Sequence, residues 1–320
     1  MYKRKILVTG GAGFIGSALS EKLIQNKENY VVVVDNLLTG NRLKLPSKED
    51  TNWTFIKCNV NDRRDISEIM LSQNFDYVFH YAALVGVKRT QDHPVDVLND
   101  IQGIQNILSL SKNTGVKRVF FSSSSEIYGD PVEIPQNVYT TPLNSRLPYA
   151  IVKNVGEAFL RSYYHEYGLN YTIFRFFNTY GPKQSRDFVI SKFLVRALNN
   201  KEITIYGDGL QTRTFCFIDD NVDACLKAFY TDQVVNDTIN IGGSREITIL
   251  DLAKLIIEIT GSKSKIIHLP PLEEGDMRRR QPDNSHMKEI LDRKLILLHE
   301  GIQKILEEGL FEMKYNPDEC

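Results

Sequence analysis

A glycine-rich turn between an apolar run and a helical pattern is the feature that most restricts how this chain can fold. The run Ile6-Leu7-Val8 leads into Gly10-Gly11-Ala12-Gly13-Phe14-Ile15-Gly16, after which apolar residues recur with helical spacing. This order predicts a strand, a tight turn and a helix. Glycines at positions 10, 13 and 16 would let backbone amides approach a pyrophosphate at the positive N-terminus of that helix. The turn therefore predicts a dinucleotide-binding site.

An acidic residue ends the next predicted strand. Residues 30–34 are one Tyr and four Val, and Asp35 follows them, 19 positions after Gly16. A carboxylate there would accept hydrogen bonds from the ribose hydroxyls of adenosine, and it would repel the additional phosphate of NADP. The predicted cofactor is therefore NAD.

Strands and helices alternate along the following segment. Strands are predicted at 54–57, 77–80 and 119–121, and helices near 63–71 and 95–111. This alternation predicts an α/β fold of the Rossmann type, a doubly wound parallel sheet that binds ligands at the carboxyl ends of its strands. Small or polar residues stand at those ends: Asn59-Val60, Ala82-Ala83 and Ser122-Ser123-Ser124-Ser125-Glu126.

The pattern changes after residue 178. Before it, a helix over 149–167 stops at Gly168 and a strand over 171–176 follows. Beyond it, the predicted elements are shorter: helices near 189–198, 222–229 and 250–259, and strands at 203–205 and 214–217. We therefore expect an NAD-binding domain over 1–178 and a smaller C-terminal α/β substrate lobe over 179–320, with crossovers between them.

Charge and cysteine content exclude several classes of function. The 39 basic and 40 acidic residues nearly cancel, and no basic tract of the kind that binds nucleic acid is present. Cys58, Cys216, Cys225 and Cys320 lack metal-ligand spacing and are typical of reduced thiols in a cytosolic protein. The first apolar run is broken by glycines, and no apolar stretch approaches a membrane span. We expect a cytoplasmic protein that acts on a small molecule, with no metal, nucleic-acid or membrane partner.

A tyrosine and a lysine stand four positions apart in the helix predicted over 149–167. Helical geometry places Tyr149 and Lys153 on one face. The lysine cation would favour the phenolate, which makes the tyrosine usable as a general acid and base near neutral pH. An isolated pair of this kind is common on helix surfaces, so its meaning depends on the other motifs.

Together these stretches resemble the extended short-chain dehydrogenase/reductases, and among them the NAD-dependent nucleotide-sugar epimerase/dehydratase family. The resemblance covers nearly the whole chain. It rests on Thr9-Gly10-Gly11-Ala12-Gly13-Phe14-Ile15-Gly16, Asp35-Asn36-Leu37, His80-Tyr81-Ala82-Ala83, residues 122–129, Tyr149 with Lys153, residues 176–182, Ile205-Tyr206-Gly207-Asp208-Gly209, Gln211-Thr212-Arg213 and Gly275-Asp276-Met277-Arg278.

The resemblance implies roles for individual residues. Ser124 would hydrogen-bond the reacting sugar oxygen, Tyr149 would take its proton, and Lys153 would hold the nicotinamide ribose. The implied NAD-binding residues are Gly10, Gly13, Phe14, Ile15, Gly16, Asp35, Asn36, Asn59, Val60, Ala82, Ala83, Tyr149 and Lys153. The implied substrate-binding residues are Val85, Ser124, Asn178, Arg213 and one of Arg278–Arg280, taken as Arg280.

Members of this family share the oxidation of sugar C4 by recycled NAD and differ in the later steps. Glu126 stands where dehydratases carry the base for the C5 proton, which favours 4,6-dehydration or uronate decarboxylation. Ser125 replaces the acid that many dehydratases use, and Val152 and Asn154 differ from the residues that flank the lysine in decarboxylases. The loop over 83–88 is more similar to that of UDP-uronate 4-epimerases.

Four functions therefore stay open at this point. The first is a 4-epimerase acting on a UDP-hexose or UDP-hexuronate. The second is a 4,6-dehydratase that uses Glu126 as the C5 base. The third is a UDP-glucuronate decarboxylase, to which Arg280-Gln281-Pro282-Asp283 is similar. The fourth is a sensor of nucleotide sugar or NAD without turnover. The resemblance also implies a homodimer, formed through the helices predicted over 95–111 and 149–167.

Overall fold

A computed structural model describes residues 2–271 and 277–315. Gly275 and Asp276, part of one motif named above, and Cys320 lie outside the described residues. The strands are β1 Arg4–Thr9, β2 Asn29–Asp35, β3 Trp53–Lys57, β4 Tyr77–His80, β5 Arg118–Ser124, β6 Asn170–Phe176, β7 Thr179–Tyr180, β8 Ile203–Tyr206, β9 Thr212–Thr214, β10 Cys216–Phe217, β11 Asp237–Ile241, β12 Glu246–Thr248 and β13 Ile266–Leu269.

The helices lie between these strands and after the last of them. They are α1 Phe14–Gln25, α2 Arg63–Gln73, α3 Val87–Asp92, α4 Pro94–Leu98, α5 Asp100–Thr114, α6 Pro148–Tyr167, α7 Val189–Leu198, α8 Ile218–Thr231, α9 Ile249–Thr260, α10 Ser285–Leu291, α11 Leu298–Glu308 and α12 Phe311–Tyr315. Within 2–271 and 277–315, no helix is both long and apolar enough to cross a membrane.

A seven-stranded sheet forms the centre of the fold. Its order is β11-β6-β5-β4-β1-β2-β3, and the pairs β1–β2, β1–β4, β2–β3 and β4–β5 are parallel. The strand order reverses between β1 and β4, which is the switch point at which doubly wound sheets bind their ligands. The predicted Rossmann-type α/β fold is therefore confirmed.

Two compact units make up the chain, and both are discontinuous in sequence. Unit 1 comprises Met1–Ile127, Arg146–Arg175 and Val222–Ile239, and unit 2 comprises Tyr128–Ser145, Phe176–Asn221 and Asn240–Cys320. Residues 128–145 belong to unit 2, although the segments before and after them belong to unit 1. Residues 222–239 belong to unit 1 again. Because each compact unit is made of three separate segments of the chain, a single domain boundary at residue 178 stays a prediction.

Buried aromatic rings fill one side of the sheet in unit 1. Phe79 of β4 and Phe120 of β5 stack with ring centres 4.3 Å apart. Phe229 of α8 meets both rings edge-on at 5.5 Å and meets Tyr77 at 4.9 Å. Helix α8 is therefore an integral part of this core, although it follows β6 by more than forty residues.

Two predicted elements differ from the structure. The helix predicted over 95–111 is two helices, α4 and α5, because the N–H of Asn99 reaches the carbonyl of Val97 and not the residue four positions back. The strand predicted over 214–217 is divided into β9 and β10. Strand β11, which completes the sheet, was not predicted from the sequence.

Candidate active site

The glycine turn brings the start of α1 against the end of β4. Gly10 has a φ of +69°, and a Cβ there would lie 2.6 Å from the backbone nitrogen of Ala82. A Cβ on Gly16 would lie 2.3 Å from the carbonyl oxygen of Gly10. Both positions therefore need glycine, since no other residue allows the backbone to approach so closely. Helix α1 then begins at Phe14, with Gly13 as its N-cap.

Asp35 lies beside this turn at the end of β2. The carboxylate is buried; Oδ2 accepts the N–H of Ala12 at 3.0 Å and Oδ1 that of Leu37 at 2.8 Å. Burial raises the pKa of Asp35, and the two hydrogen bonds oppose that rise. Asn36 is exposed, and its side chain accepts the N–H of Leu38. The predicted acidic residue is thus held at the glycine turn by backbone contacts.

The loops after β3 and β4 carry the next group of predicted residues. Asn59 accepts the N–H of Asn61 at 3.2 Å, and Val60 is buried with its carbonyl bound to Asn106 at 3.0 Å. After β4, the N–H of Ala82 donates to Thr9 Oγ1 at 3.1 Å. Ala83 and Val85 are half-buried in the same loop. The structure brings these residues to one edge of the sheet, at the carboxyl ends of β1, β3 and β4.

Ser124 and Glu126 stand at the end of β5. Ser124 is the last residue of the strand, and its buried hydroxyl accepts the backbone N–H of Glu126 at 3.2 Å. Glu126 is half-buried in a short 3₁₀ turn, Ser125–Tyr128. The turn therefore orients the serine hydroxyl through this hydrogen bond and directs the chain away from the sheet.

Tyr149 and Lys153 lie on the first turns of α6. Lys153 is 2% exposed, and its Nζ lies 5.0 Å from the centre of the Phe121 ring and 5.6 Å from that of the Tyr149 ring. The ammonium also donates to Ser122 Oγ at 3.4 Å. Burial lowers the pKa of Lys153 to about 8, and the charge of Asp100 opposes this shift. The two aromatic rings beside the ammonium can stabilise its charge through cation–π interactions.

His80 is a buried polar residue of this region to which sequence reasoning assigned no role. Thr9 Oγ1 accepts the N–H groups of Tyr81 and Ala82, both at 3.1 Å, so its own proton is directed to His80 Nδ1 at 2.8 Å. This arrangement fixes the neutral tautomer with its proton on Nε2. Burial, with a contribution from Lys153, lowers the pKa of His80 to about 3. The sequence signal that could have identified His80 is its position as a polar residue at the end of an apolar strand.

Glu157 is a second residue that sequence reasoning missed. Its buried carboxylate accepts Ser123 Oγ at 2.7 Å and both Nε and Nη2 of Arg175, at 2.9 and 2.7 Å. Burial alone would raise the pKa of Glu157, but the ion pair with Arg175 holds it below its usual range. Glu157 follows Lys153 by four positions, so helical spacing already placed it on the face that meets the sheet.

The predicted diphosphate-binding residues belong to unit 2. Asn178 has a φ of +35° and donates from Nδ2 to the carbonyl of Thr214 at 3.0 Å. Arg213 and Arg280 are buried, which is unusual for a guanidinium unless it is paired or meets an anion. Arg279, in contrast, is half exposed and forms a two-bond pair with Glu246 at 3.1 and 2.6 Å. Of the adjacent arginines, Arg280 is the buried one.

The residues of unit 1 fit a bound dinucleotide. Close backbone approach at Gly10 and Gly16 leaves a cradle that a Cβ would fill, and the N-terminus of α1 opens onto it. Asp35 lies beside the cradle, which suits ribose hydroxyls. Within the described residues, no group of three or more His, Cys, Asp or Glu side chains could hold a metal ion.

Comparison with known proteins agrees with this geometry. Residues 6–242 match the model of the NAD dependent epimerase/dehydratase family. The chain is 36% identical to a UDP-N-acetyl-alpha-D-glucosaminuronate decarboxylase of Bacillus cytotoxicus, over 90% of this chain and 92% of that protein. It is similar to the structure of a Thermotoga maritima UDP-glucose 4-epimerase with UDP-glucose, with 36% identity, a TM-score of 0.88, and coverage of 95% and 97%.

A third relative was solved with the cofactor. A dTDP-glucose 4,6-dehydratase from Streptomyces venezuelae with NAD bound has a TM-score of 0.89 and 26% identity, over 98% of this chain and 99% of that one. The family match spans the glycine turn, Asp35, Ser124, Tyr149 and Lys153. This chain is therefore an NAD-dependent enzyme and belongs to the NAD-dependent epimerase/dehydratase family of the extended short-chain dehydrogenase/reductases.

Proposed function

We propose that this enzyme is a nucleotide-sugar 4-epimerase that oxidises C4 of a UDP-hexose or UDP-hexuronate and reduces the ketone again on its other face. The observation that carries the oxidation step of this proposal is the buried Lys153 ammonium beside the Tyr149 ring. A cation held there stabilises a phenolate, which allows the tyrosine to exchange a proton with a sugar hydroxyl. The similarity to the Thermotoga maritima UDP-glucose 4-epimerase supports the same reaction.

The proposed catalytic residues, all in unit 1, have separate roles in this reaction. Ser124 Oγ accepts the N–H of Glu126 through a lone pair, so its proton can be donated to the sugar O4. Tyr149 removes the proton of that hydroxyl and returns it after reduction. Lys153 stabilises the phenolate and binds the nicotinamide ribose. When bound, NAD supplies reversible hydride transfer at C4, so no external oxidant is consumed.

The cofactor and the nucleotide diphosphate have separate binding residues. Gly10, Gly13 and Gly16 would hold the NAD pyrophosphate at the start of α1, and Asp35 its adenosine ribose. In unit 2, Asn178, Arg213 and Arg280 would hold the substrate diphosphate, because buried guanidinium groups suit two-bond contact with phosphate.

A uronate decarboxylase is the second candidate, and Glu126 favours it. Glu126 follows Ser124 by two positions in the 3₁₀ turn, where the family's dehydratases carry a base for the C5 proton. The Bacillus cytotoxicus decarboxylase is as similar in sequence as the Thermotoga epimerase is. The same residue supports 4,6-dehydration, for which the Streptomyces relative is a precedent.

The decarboxylase-like segment Arg280-Gln281-Pro282-Asp283 has a structural explanation in unit 2. The N–H of Gln136 donates to the carbonyl of Gln281 at 2.7 Å, and the carbonyl of Gln136 accepts the N–H of Asp283 at 2.8 Å. The Asp283 carboxylate accepts Asn137 at 3.0 Å and Ser285 Oγ at 2.7 Å. The Asp283 carboxylate is thus engaged in hydrogen bonds within unit 2, which explains the motif without a role in decarboxylation. Epimerisation therefore stays the better-supported reaction.

One experiment separates these reactions. The purified protein is incubated with UDP-, GDP- and dTDP-sugars without added cofactor, and the products are examined by liquid chromatography and mass spectrometry. We expect a new peak of unchanged mass. Loss of water would establish a dehydratase and loss of carbon dioxide a decarboxylase, and either would overturn the proposal. Tyr149→Phe is the matched control, since it keeps the ring but should lose nearly all turnover.

Glu126→Gln tests the role of the glutamate in the same assay. An epimerase does not need a C5 base, so we expect this variant to keep turnover within a few-fold. A loss of turnover like that of Tyr149→Phe would instead support one of the two reactions that use Glu126.

Assembly and location also belong to the proposal. A homodimer through α5 and α6 would cover Ile151, Tyr164 and Tyr167, which are exposed apolar or aromatic side chains of α6. Light scattering after gel filtration tests this, and a monomer would contradict it. A cytoplasmic location stays a prediction.

A further inference from the structure

Glu246, the first residue of β12, joins β9 to the segment that carries Arg280. Its Oε1 accepts hydrogen bonds from the Thr212 hydroxyl at 2.7 Å and from Arg279 Nε at 3.1 Å, and its Oε2 accepts one from Arg279 Nη2 at 2.6 Å. Thr212 lies in β9, which pairs antiparallel with β12, whereas Arg279 follows Glu246 by 33 positions. One carboxylate therefore binds two segments of unit 2 together.

The backbone of Thr212 adds two contacts at the same place. Its N–H donates to the carbonyl of Arg278 at 3.0 Å, so the main chain of that segment lies against β9. Its carbonyl accepts Nη1 of Arg213 at 2.8 Å, which fixes one end of that guanidinium. The contacts of Thr212 therefore connect the Glu246 carboxylate with the segment over 278–280 and with the Arg213 guanidinium.

Strand geometry places Glu246 and Arg213 on different faces of the β9–β12 pair. Glu246 pairs with Thr214, and Ile247 pairs with Arg213. Because successive side chains of a strand point to opposite faces, Glu246 shares a face with Thr212 and Thr214. Arg213 lies on the other face. The carboxylate therefore reaches Arg213 through Thr212.

The pair of Glu246 and Arg279 is charged and has a defined geometry. The side chain of Glu246 is 21% exposed and that of Arg279 is 50% exposed. Hydrogen bonds from Arg279 hold the pKa of Glu246 below its ordinary value, so it is a carboxylate at neutral pH. Exposed ion pairs add little to stability, but two parallel hydrogen bonds and a third from a hydroxyl fix the positions of the groups.

We propose that Glu246 is a positioning residue of the substrate diphosphate site, which holds the segment over 278–280 against β9 and so sets the spacing of Arg213 and Arg280. This inference rests on the proposed function, in which these two buried arginines hold the diphosphate. Glu246 acts through Thr212 and Arg279 and is assigned no contact with the substrate.

Glu246→Gln tests the proposal because charge and position predict opposite effects. Loss of a negative charge near an anion site would by itself strengthen the binding of a diphosphate. Loss of the positioning contact should weaken it, by roughly three- to tenfold. Calorimetric titration of the NAD-bound protein with UDP, and with GDP and dTDP in parallel, measures the change. Unchanged or tighter binding in the variant would overturn the proposal.

Arg279→Gln completes a double-mutant cycle. If the two residues act as a pair, Arg279→Gln should weaken nucleotide binding about as much as Glu246→Gln does, and the double variant should be no weaker than either. Losses that multiply would show that the residues act separately, which rejects the pair.

Lys254→Gln is the matched control for the lost positive charge. Lys254 forms an exposed ion pair with Asp251 at 3.2 Å in α9 of the same unit. We expect this variant to bind UDP like the wild type. A loss equal to that of Arg279→Gln would attribute the effect to general attraction of an anion and would overturn the positioning role.

Kinetics with the sugar nucleotide that the wild type converts give a second readout. We expect KM to rise by the same factor as the UDP dissociation constant and kcat to stay within about twofold, since the proposed catalytic residues belong to unit 1. A structural defect would instead lower kcat or the number of binding sites, without changing the dissociation constant.

The two proposals fail in different ways. Epimerisation by the wild type, with full UDP affinity in Glu246→Gln, would reject the positioning role and keep the epimerase. Weakened UDP binding in Glu246→Gln, with a product of changed mass from the wild type, would reject the epimerase and keep the positioning role. Failure of the wild type to bind any of the three nucleotides would overturn both.

Discussion

The charged Lys153 side chain is almost fully buried and is therefore largely desolvated. Its pKa of about 8, against an ordinary value of 10.5, means that the folded state binds this proton less tightly than the unfolded chain does. The difference corresponds to a destabilisation on the order of 3 kcal/mol when the lysine is protonated. That cost is present in full below about pH 8 and disappears as the pH rises toward the ordinary pKa.

Lys153→Met should therefore separate stability from activity. We expect the variant to lose turnover and, without NAD, to gain roughly 1 to 3 kcal/mol in the free energy of unfolding at about pH 7, since Met fills similar volume without a charge. Urea unfolding near neutral pH and again at about pH 10 measures this. The gain should shrink at the higher pH, and a variant less stable than the wild type at neutral pH would contradict the argument.

His80 predicts a loss of stability in acid. Its pKa is about 3 in the folded protein and 6.5 ordinarily, so the unfolded chain binds the proton more readily and stability falls as the pH drops from about 6.5 toward 3. His80→Asn keeps an acceptor near Thr9 Oγ1 but cannot be protonated. We expect a shallower decrease of the free energy of unfolding between about pH 6.5 and 4.5 in this variant. Parallel curves for the two proteins would exclude His80 as the cause.

At the scale of elements, helix α6 and strand β5 set the distance between the proposed catalytic groups. Gly156 makes their close approach possible, since a Cβ there would lie 2.4 Å from Phe121 Cζ and 3.1 Å from Ile104 Cδ1. The Ser123–Glu157–Arg175 contacts tie α6 to β5 and β6 on the same face. Tyr149 and Ser124 therefore depend on packing further along the same helix and strand.

Gly156→Ala should impair activity through this packing. We expect a loss of roughly 1 to 3 kcal/mol from overpacking, together with a fall in kcat of about tenfold or more as α6 moves away from β5. Gly115→Ala is the control: Gly115 has a φ of +76° but nothing within 4 Å of a Cβ. It should lose about 1 kcal/mol from backbone strain alone and keep its kcat. Equal kcat in both variants would disprove the link between packing and catalysis.

Local patterns predicted the first elements well because each carried its own signal. The glycine turn, the strands up to β5 and the stop of α6 at Gly168 depend on residues adjacent in sequence. Strand β11 was missed because its place in the sheet depends on pairing with β6, far earlier in the chain. Glu157 was missed for a similar reason: a carboxylate on a helix suggests solvent, and only tertiary contacts show its partners.

On the scale of the whole molecule, unit 1 depends on a segment that returns late in the chain. Helix α8 supplies Val222, Ala224, Cys225, Ala228 and Phe229, which are all buried. The ring of Phe229 closes over the Phe79–Phe120 stack, and β11 extends the sheet beyond β6. A chain cut at residue 178 would expose both this aromatic face and an unpaired edge of β6.

We expect the fragment 1–178 to fail to fold, although it contains every residue proposed to bind NAD. Circular dichroism and NAD binding by calorimetry measure this, and cooperative unfolding with wild-type NAD affinity would show that α8 and β11 are dispensable. Exposure of apolar surface is the physical reason, because the lost contacts are those of a core and not of a peripheral helix.

Phe229→Ala in the full chain is the graded form of the same test. Truncating a buried ring costs about 3 to 5 kcal/mol through lost burial and the cavity that remains, and we expect urea unfolding to show a decrease of that size. Lys227→Ala, on the exposed side of α8, should change stability by no more than about 0.5 kcal/mol.

NAD affinity measured below the unfolding transition should stay near the wild-type value, since the rings that Phe229 contacts are not among the residues proposed to bind NAD. If both variants unfold alike, α8 is not part of the unit 1 core, and the division of the chain into two discontinuous units would have to be redrawn.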